Sequence, residues 1–443
     1  MMPDYAMGFW QSKLRYQTQE EVLHTAQEYK RRGLPLSVIV IDFFHWPYHG
    51  DWNFDYDYWP NPEEMTQKLH EMGVKLMVSV WPTVQKESTN YHEIEENGYL
   101  MRSERGPNIT KVTRGSTQFI DLTNPRARKF LWETAKKNYY QKGVDAFWLD
   151  EAEPEFMTYD FDSYRYYAGH AMQISNIYPK YFSKTFYDGM KEAGDNQVLN
   201  LVRCGWAGSQ KYGALIWSGD VHSSFRALRE QVVIGQQMGI AGIPWWTHDI
   251  GGFYGADVRD PNFHELMIRW FAFGAFSPVF RLHGVRYPRL EPLSDKRGGM
   301  CSSGSPNEIW EFTPQVEEIC TRFIKMRQAL KSYIKNLMVE AHEVGRPVMR
   351  PLFYEFSEDD RCWNLGDEYL FGADILVAPV IEAGAQERMV YLPLGETWIE
   401  TSTGKEYVGG QTILSAAPLQ VIPVFVRKSK HNLADLIHIY NHM

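Results

Sequence analysis

The chain of 443 residues has 46 Lys and Arg against 55 Asp and Glu, a formal net charge of −9. With 44% hydrophobic and 23% charged residues, the composition is that of a globular protein and excludes wholesale disorder. The acidic balance argues against nucleic acid as the main partner. Aromatic residues make up 15% of the chain, and this surplus is the unusual feature of the composition.

Nothing in the sequence indicates export or insertion into a membrane. No early apolar stretch resembles a signal peptide, and no run of about 18 apolar residues could cross a bilayer. The four cysteines, Cys204, Cys301, Cys320 and Cys362, show no CxxC spacing and are too few for a disulfide scaffold, so we expect free thiols. We therefore expect a cytoplasmic protein without a membrane partner.

The first 345 residues alternate between short apolar runs and longer amphipathic segments. The apolar runs predict strands at 6–11, 36–42, 75–81, 146–150, 198–203, 214–220, 243–249 and 278–283. Helical patterns lie between and after them, at about 18–32, 62–72, 126–142, 170–193, 223–238, 263–275 and 314–343. Eight such strands that alternate with helices predict an α/β fold with a closed (β/α)8 TIM barrel. A doubly wound open sheet is the alternative, but no Gly-rich phosphate motif opens a helix here.

After residue 345 the pattern changes to short β-like stretches separated by Gly, Pro, Asn and Asp. These stretches lie at 347–355, 369–371, 374–380, 388–392, 397–400 and 420–427. They predict a small C-terminal antiparallel β-sandwich. The chain therefore divides into a catalytic barrel over residues 1–345, a sandwich over 346–428, and a polar tail with one short amphipathic turn over 429–443.

Polar or aromatic side chains end most of the predicted barrel strands. They are Asp42, Trp81, Asp150, Arg203, Asp220, the pair His248-Asp249, and His283. In a barrel these positions converge on the C-terminal face, where active sites form. A single Asp at a strand end is often only a helix cap or a turn residue. Seven strands that end in this way predict a shared site.

The chemistry of these groups suits an uncharged ligand with many hydroxyl groups. Carboxylates and guanidinium groups bind sugar hydroxyls through charge-assisted hydrogen bonds, and aromatic rings pack on the C–H faces of sugars. Glycoside hydrolysis needs two carboxyl groups at the scissile bond, and Asp150 and Asp220 are the favoured pair. A metal-dependent barrel hydrolase is a competing hypothesis, but no HxH, HExxH or clustered ligand spacing supports it. We expect no cofactor and no metal.

Several segments resemble signatures of glycoside hydrolase family 31, which comprises retaining α-glucosidases, α-xylosidases and relatives. The segment WLDEAEPE at residues 148–155 resembles the nucleophile motif of the family, and WSGDVHSSF at 217–225 looks like its acid/base motif. WTHDIGGF at 246–253, FRLHG at 280–284 and the strand that ends at Asp42 are similar to further family signatures. The similarity runs in the same order from about residue 7 to about residue 427.

The resemblance implies a role for each matching residue. Asp150 is implied to be the nucleophile that forms a covalent glycosyl-enzyme, and Asp220 to protonate the leaving oxygen and then activate water. Arg203, His283 and Asp42 are implied to bind sugar hydroxyls in subsite −1. The other residues expected to line the substrate pocket are Phe43, Phe44, Trp81, Trp148, Glu151, Trp217, Asp249 and Phe253. We also expect the tryptophans to desolvate Asp220.

The residues after Asp42 depart from the pattern of the α-glucosidases. Those enzymes commonly have a second acidic residue shortly after this position, whereas the segment here is FFHW at 43–46. Bulky rings leave less room for a hydroxymethyl group, and no acid is present to bond to it. This resembles the α-xylosidases, so we expect terminal non-reducing α-linked xylose to be released from short oligosaccharides. An α-glucosidase and a truncated, non-catalytic sugar-binding remnant are the alternatives.

Two further departures concern the parts around the barrel. Residues 112–116 read VTRGS, where many relatives have a Trp before the Gly. Family members normally begin with a β-sandwich that lends a loop to the active site, whereas this chain starts almost directly at the barrel. We expect that the sequence is an excerpt or that a partner supplies this part. Family members often oligomerise, so a homo-oligomer is possible.

Overall fold

The barrel is built around a sheet of parallel strands. The computed structural model describes residues 1–105, 111–112, 115–151, 153–154 and 162–441. The strands of the sheet are β1 (Phe9–Ser12), β2 (Val38–Ile41), β3 (Lys75–Val80), β4 (Ala146–Leu149), β5 (Asn200–Val202), β6 (Ala214–Ile216) and β7 (Phe280–Leu282). Their order in the sheet is β6-β5-β4-β3-β2-β1-β7, and every neighbouring pair is parallel.

The segment predicted as a strand at 243–249 closes the ring without forming a regular strand. The amide of Thr247 donates to the carbonyl of Ile216 at 2.9 Å, which attaches the segment to β6. On the other side, the amide of Val279 donates to the carbonyl of Trp246 at 3.2 Å, just before β7. The segment therefore fills the position between β6 and β7, and the predicted TIM barrel is confirmed.

Burial on both faces explains why most residues of the barrel strands are apolar. All four residues of β2 are fully buried, since one face meets the barrel interior and the other meets the surrounding helices. Polar side chains are therefore favoured where the strands end. Side chains that could bind or react with a ligand are therefore expected at the strand ends.

The helices surround the barrel and extend from it. Those in the described residues are α1 (Gln19–Arg31), α2 (Pro62–Glu71), α3 (Tyr91–Glu96), α4 (Pro125–Asn138), α5 (Ala171–Ile174), α6 (Tyr178–Glu192), α7 (Phe225–Ile240), α8 (Pro261–Ala275), α9 (Pro314–Ala329), α10 (Lys331–Val344) and α11 (His431–Asn441). The pattern predicted at 170–193 is divided into α5 and α6, because Pro179 favours a new helix start there. No helix in these ranges is long and apolar enough to span a membrane.

Short strands in the loops add small sheets to the barrel. They are Thr83–Gln85, Arg102–Ser103, Lys111–Val112, Ser116–Phe119, Tyr164–Tyr166, Gly169–His170, Ala256–Asp257 and Arg286–Tyr287. Gln85 pairs with Thr117 in an antiparallel sheet that follows β3. These strands give the long loops beyond β3 and β4 a hydrogen-bonded framework.

The C-terminal part forms the predicted antiparallel domain. Its strands are β8 (Met349–Arg350), β9 (Tyr369–Phe371), β10 (Ile375–Val377), β11 (Glu387–Leu392), β12 (Thr397–Glu400), β13 (Glu406–Val408), β14 (Gln411–Ala416) and β15 (Val424–Arg427). One sheet has the order β8-β9-β10-β15-β12-β13, and β11 pairs with β14 in a second sheet. Trp398 and Phe425 of the larger sheet share one apolar cluster with Val390 of the smaller sheet, so the two sheets pack face to face.

The end of the chain differs from the polar tail expected at 429–443. Residues 431–441 form α11, in which Ala434 and Ile437 are buried. Leu433, Ile437 and Tyr440 recur at the spacing of one helix face, which is longer than the single turn predicted. His438 Nδ1 lies 2.8 Å from the carbonyl oxygen of Thr401, so this helix is attached to the sandwich. Residues 442–443 lie outside the described residues.

Candidate active site

The residues of the candidate active site lie at the C-terminal ends of the barrel strands. Asp42 follows β2, Asp150 follows β4, Arg203 follows β5 and His283 follows β7. Because all these strands are parallel, their following residues meet at one rim of the barrel. The contacts below confirm that these side chains lie together.

Arg203 joins the two carboxyl groups that the sequence singles out. Its Nη1 atom lies 3.4 Å from Oδ1 of Asp150 and 3.5 Å from Oδ1 of Asp220, so these two oxygens are at most 6.9 Å apart. Its Nε atom lies 2.7 Å from Oε1 of Glu153. Retaining glycosidases have carboxyl separations of about 5–5.5 Å and inverting enzymes about 6.5–9.5 Å. The limit is compatible with both ranges, and it places the two carboxyl groups within reach of one glycosidic bond.

The two carboxyl groups have different surroundings. The side chain of Asp150 is 9% exposed, and that of Asp220 is 38% exposed. Burial raises the pKa of Asp150, and the guanidinium of Arg203 opposes this rise. The tryptophans do not desolvate Asp220 as expected, because Asp220 lies on a loop beyond β6, after Gly219 with its φ of +72°. One carboxyl group is thus enclosed and the other faces solvent.

Asp42 and His283 form a second polar pair in the pocket. Nε2 of His283 lies 3.6 Å from Oδ2 of Asp42, and the amide of Phe43 donates to Oδ1 of Asp42 at 2.7 Å. Burial, followed by the charge of Asp150, raises the pKa of Asp42 well above its usual value. Burial holds the pKa of His283 well below its usual value, so its ring is neutral. A sugar hydroxyl at this pair would meet both a carboxyl group and an imidazole.

Aromatic rings pack beside the polar groups of the candidate site. Trp148 and Trp217 lie perpendicular to each other with centroids 5.3 Å apart, and Trp148 also lies edge-on to His283 at 5.0 Å. Phe253 stacks on His283 with an interplanar angle of 22°. The indole N–H groups of Trp148 and Trp217 are buried and have no hydrogen-bond partner among the described residues. They are therefore available as donors to a bound ligand.

A second aromatic group, which we call the aromatic cluster, follows Asp42. It comprises Phe43, Phe44, Trp46 and Trp81, together with Cys301. The ring centroid of Phe43 lies 4.9 Å from that of Phe44 and 4.8 Å from that of Trp81. The cluster thus places hydrocarbon surface beside the carboxyl group of Asp42.

Arg15 holds the backbone of the aromatic cluster. Phe44 has a φ of +57°, which is costly for a bulky residue. The buried guanidinium of Arg15 donates to the carbonyl oxygen of Phe44 at 2.9 Å and to that of Gly298 at 2.7 Å. This contact fixes the loop after β2 against the loop that contains Gly298, and so keeps the aromatic cluster in place.

Asp249 lies beneath the pocket and pairs with Arg281. Both side chains are fully buried, and Nη2 of Arg281 donates to Oδ1 of Asp249. Burial raises the pKa of Asp249 to about 7, although the charge of Arg281 opposes the rise. The guanidinium carbon of Arg281 lies 5.4 Å from the ring centroid of Trp148. Asp249 therefore supports the pocket wall through Arg281.

We expect Arg281→Met to lower the free energy of unfolding by about 3 kcal/mol, because it leaves the buried Asp249 without its partner. The loss should be larger at pH 8 than at pH 5.5. The unfolded chain has already released the proton of Asp249 at pH 5.5, and the wild-type native state releases it near pH 7, whereas without Arg281 the native state retains it at pH 8 and loses further stability. Urea unfolding at both pH values measures this.

The exposed pair of Arg259 with Asp257 provides the control for this prediction. Arg259→Met should leave stability close to that of the wild type, since solvent already screens these charges. Equal losses in Arg281→Met and Arg259→Met would contradict the role given to the buried pair.

The structure places Glu151 next to Asp150, with a φ of +55° and a buried side chain. Its backbone N–H bonds to Asp150 and works against the rise in the pKa of that carboxyl group. Residues 152 and 155–161, which include the rest of the predicted nucleophile motif, lie outside the described residues, as do 113–114 of the VTRGS segment. Among the residues that are described, no group of three His, Cys, Asp or Glu side chains could hold a metal ion.

Three residues that contact the site were not predicted to belong to it. They are Ser12, which bonds to His283, Glu153, which bonds to Arg203, and Arg281. Arg281 carries a sequence signal, since a charged residue between Phe280 and Leu282 in a buried strand needs a partner inside the barrel. Ser12 carries none, because a serine at a strand end is common.

A parallel barrel with two bridged carboxyl groups at its C-terminal face has the groups that two-carboxylate glycoside hydrolysis requires. The sequence matches the model of the glycosyl hydrolases family 31 TIM-barrel domain over residues 1–337. It matches the model of the glycosyl hydrolase family 31 C-terminal domain over residues 345–430. The chain belongs to glycoside hydrolase family 31.

Three relatives illustrate the range of similarity. A GH31 α-xylosidase from a soil metagenome, solved in complex with xylose, has a TM-score of 0.96 and 53% identity, and the match covers 98% of this chain and 65% of that chain. An uncharacterised family 31 glucosidase of Pseudescherichia vulneris is 56% identical over 288 residues, covering 65% of this chain and 54% of that protein. The α-xylosidase of Saccharolobus solfataricus is 33% identical over 438 residues, covering 96% of this chain and 55% of that protein. The chain thus spans less than two thirds of the length of these relatives.

Proposed function

We propose that the chain is a retaining α-glycosidase that releases terminal non-reducing α-linked xylose from short oligosaccharides. The observation that carries the proposal is the pair of carboxyl groups bridged by Arg203. Because Asp150 and Asp220 both contact one guanidinium nitrogen, they can act on opposite sides of a single glycosidic bond. The aromatic cluster supports the choice of xylose.

In the first half of the proposed reaction, Asp150 attacks the anomeric carbon while Asp220 protonates the leaving oxygen. The bond from the anomeric carbon to that oxygen breaks, and a covalent glycosyl-enzyme forms. In the second half, Asp220 takes a proton from water, which attacks the same carbon and frees Asp150. Two features support these roles: the charge of Arg203 favours the ionised form of Asp150 that the first step needs, and the solvent-facing Asp220 can reach the water that attacks in the second step.

The surroundings of Asp42 support xylose over glucose. Xylose lacks the hydroxymethyl group of glucose, and the aromatic cluster has no carboxylate that could accept a hydrogen bond from the hydroxyl of that group. The next polar residue along the loop, His45, is buried and turned away. Its Nδ1 atom lies 2.8 Å from the carbonyl oxygen of Asp42 and its Nε2 atom 2.9 Å from the hydroxyl of Tyr139. The xylose-bound α-xylosidase from a soil metagenome adds support by similarity.

The proposed location is the cytoplasm. All four cysteines, Cys204, Cys301, Cys320 and Cys362, are free, as predicted. Free thiols are typical of a reducing compartment, which supports this location. A homo-oligomer remains part of the proposal, because relatives of this family often assemble from several copies.

We expect kcat/KM for p-nitrophenyl α-xyloside to exceed that for the α-glucoside by about 10-fold or more. One additional small group on a substrate changes kcat/KM by about 10–200-fold when the pocket is fitted to the smaller substrate. Phe43→Ala should shift the ratio of the two values toward the glucoside by about 10-fold, since it opens space beside Asp42. Phe353→Ala, in the C-terminal domain, is a matched control and should leave the ratio unchanged.

The same assay separates the alternatives. A kcat/KM that favours the glucoside in the wild type would replace the α-xylosidase by an α-glucosidase. A chain that binds xylose but releases no nitrophenol from either substrate would be the non-catalytic remnant. Activity that is lost on treatment with a chelator and restored by a divalent metal would favour the metal-dependent hydrolase.

A further inference from the structure

The hydroxyl of Ser12 contacts the ring of His283 inside the barrel. Oγ of Ser12 lies 2.7 Å from Nδ1 of His283, and both side chains are buried. Ser12 ends β1 and His283 follows β7, and the register of these strands pairs Gln11 with Leu282. The next residue on each strand therefore meets its neighbour at the same level of the barrel, at the edge of the pocket.

The position of Ser12 is fixed by its own backbone contacts. Its carbonyl oxygen accepts a hydrogen bond from Nδ2 of Asn307 at 3.2 Å. Arg286, which is fully buried, donates to Oδ1 of Asn307 at 2.7 Å and to the carbonyl oxygen of His283 at 3.2 Å. One guanidinium thus holds both the residue that supports Ser12 and the backbone of His283. The contact between Ser12 and His283 therefore belongs to a buried hydrogen-bond network that includes Arg286 and Asn307.

The tautomer of His283 follows from its two ring contacts. A neutral imidazole has one N–H and one lone pair, and the contact made by one nitrogen determines the other. If Nδ1 carried the proton, the Ser12 hydroxyl would have to donate elsewhere, and its only hydrogen bond in the described residues is the one to His283. This cost vanishes if Ser12 donates to Nδ1, and Nε2, which lies 3.6 Å from the carboxyl group of Asp42, then carries the proton.

We propose that Ser12 is a positioning residue that donates its hydroxyl hydrogen to Nδ1 of His283 and so holds the ring with its proton on Nε2. The Nε2–H group, which has no hydrogen-bond partner among the described residues, then points toward the space beside Asp42. A sugar hydroxyl there can donate to Asp42 and accept from His283 at the same time. Ser12 thus selects a ligand group that both donates and accepts. The role in sugar binding rests on the proposed function, whereas the tautomer does not.

The tautomer can be measured without any activity. In protein labelled with ¹⁵N at the histidine rings, long-range ¹H–¹⁵N spectra distinguish a protonated from an unprotonated ring nitrogen. His283→Gln identifies the signals of His283 by their loss. We expect an unprotonated Nδ1 and a protonated Nε2 in the wild type, and a mixture of tautomers in Ser12→Ala. A protonated Nδ1 in the wild type would overturn the proposal, and this spectrum needs no variant of Ser12 to fold.

Kinetics tests whether Ser12 acts through His283. Ser12→Ala should lower kcat/KM by about 10-fold, the worth of one neutral hydrogen bond, and Ser12→Thr, which keeps the hydroxyl, should restore most of it. In the His283→Gln background, Ser12→Ala should cost nothing further. The same loss in both backgrounds would overturn the proposal.

The control is Ser79→Ala in β3, a buried serine whose Oγ has no hydrogen-bond partner among the described residues. It should keep kcat/KM close to the wild type. An inactive wild type with the expected tautomer would refute the proposed function and leave the positioning role intact. An active enzyme with the opposite tautomer would leave the proposed function intact and refute the positioning role of Ser12.

Discussion

Asp150→Asn is expected to lower kcat by about 10⁴-fold or more on either nitrophenyl glycoside, because an amide cannot replace the carboxylate that attacks the anomeric carbon. The buried carboxyl group follows β4 and is held toward the pocket by Arg203 at 3.4 Å. Since Asn keeps the size of the side chain, the loss reflects chemistry and not a change of shape. Initial rates at saturating substrate concentration measure this loss of kcat.

The same substitution at the other end of the same strand provides the control. Asp145 precedes β4 and bonds to Lys75 and to the amide of Leu76, far from the pocket end of the strand. Asp145→Asn should change stability but keep kcat within a few-fold of the wild type. Comparable activity in Asp150→Asn and Asp145→Asn would show that Asp150 is not the nucleophile.

Asp220→Ala is expected to lower kcat by about 10²–10⁴-fold, the usual worth of a general acid and base, and azide should restore much of the loss. The nitrophenyl leaving group needs little protonation, so the glycosyl-enzyme still forms. Azide then attacks it without needing a base to remove a proton. The exposed position of the Asp220 side chain, at 38%, leaves room for the small anion.

The configuration of the azide product separates the two carboxyl roles. With Asp220→Ala the product should be the α-glycosyl azide, because two displacements occur at the anomeric carbon. With Asp150→Ala, azide would replace the nucleophile in a single displacement and give the β-glycosyl azide. A β-product from Asp220→Ala, or no response to azide, would contradict the assignment. Proton NMR of the anomeric position identifies the product.

Much of the barrel could be predicted because its strands carry a strong signal. A strand such as β2, apolar on both faces, is distinctive in a sequence, and the helices between the strands have clear periodicity. The segment at 243–249 was predicted as a strand, but its ladder to β6 and β7 is too short to form a regular one. The helix α11 was predicted only as a turn, since its burial depends on contacts with distant residues such as Thr401.

The central site residues could be predicted because they follow parallel strands that end at one rim. The contacts that orient them could not, because they join residues far apart in the chain. Ser12 meets His283 across the seam between β1 and β7, and Arg281 meets Asp249 from an adjacent segment. The exposure of Asp220 depends on the turn at Gly219, which residue type alone does not reveal. Strand ends thus predict which groups meet, and packing decides how they are oriented.

The most direct test of the account is to trap the glycosyl-enzyme. The nucleophile displaces the anomeric fluoride of a 5-fluoro-α-xylosyl fluoride and forms a glycosyl ester with the sugar. The ring fluorine slows the second displacement, so this ester accumulates. Mass spectrometry of the digested protein then identifies the labelled residue. We predict one xylosyl label on Asp150 in the wild type and none in Asp150→Asn. A label on another carboxyl group, or turnover of the reagent without any label, would contradict the assignment of Asp150 as the nucleophile of a retaining enzyme.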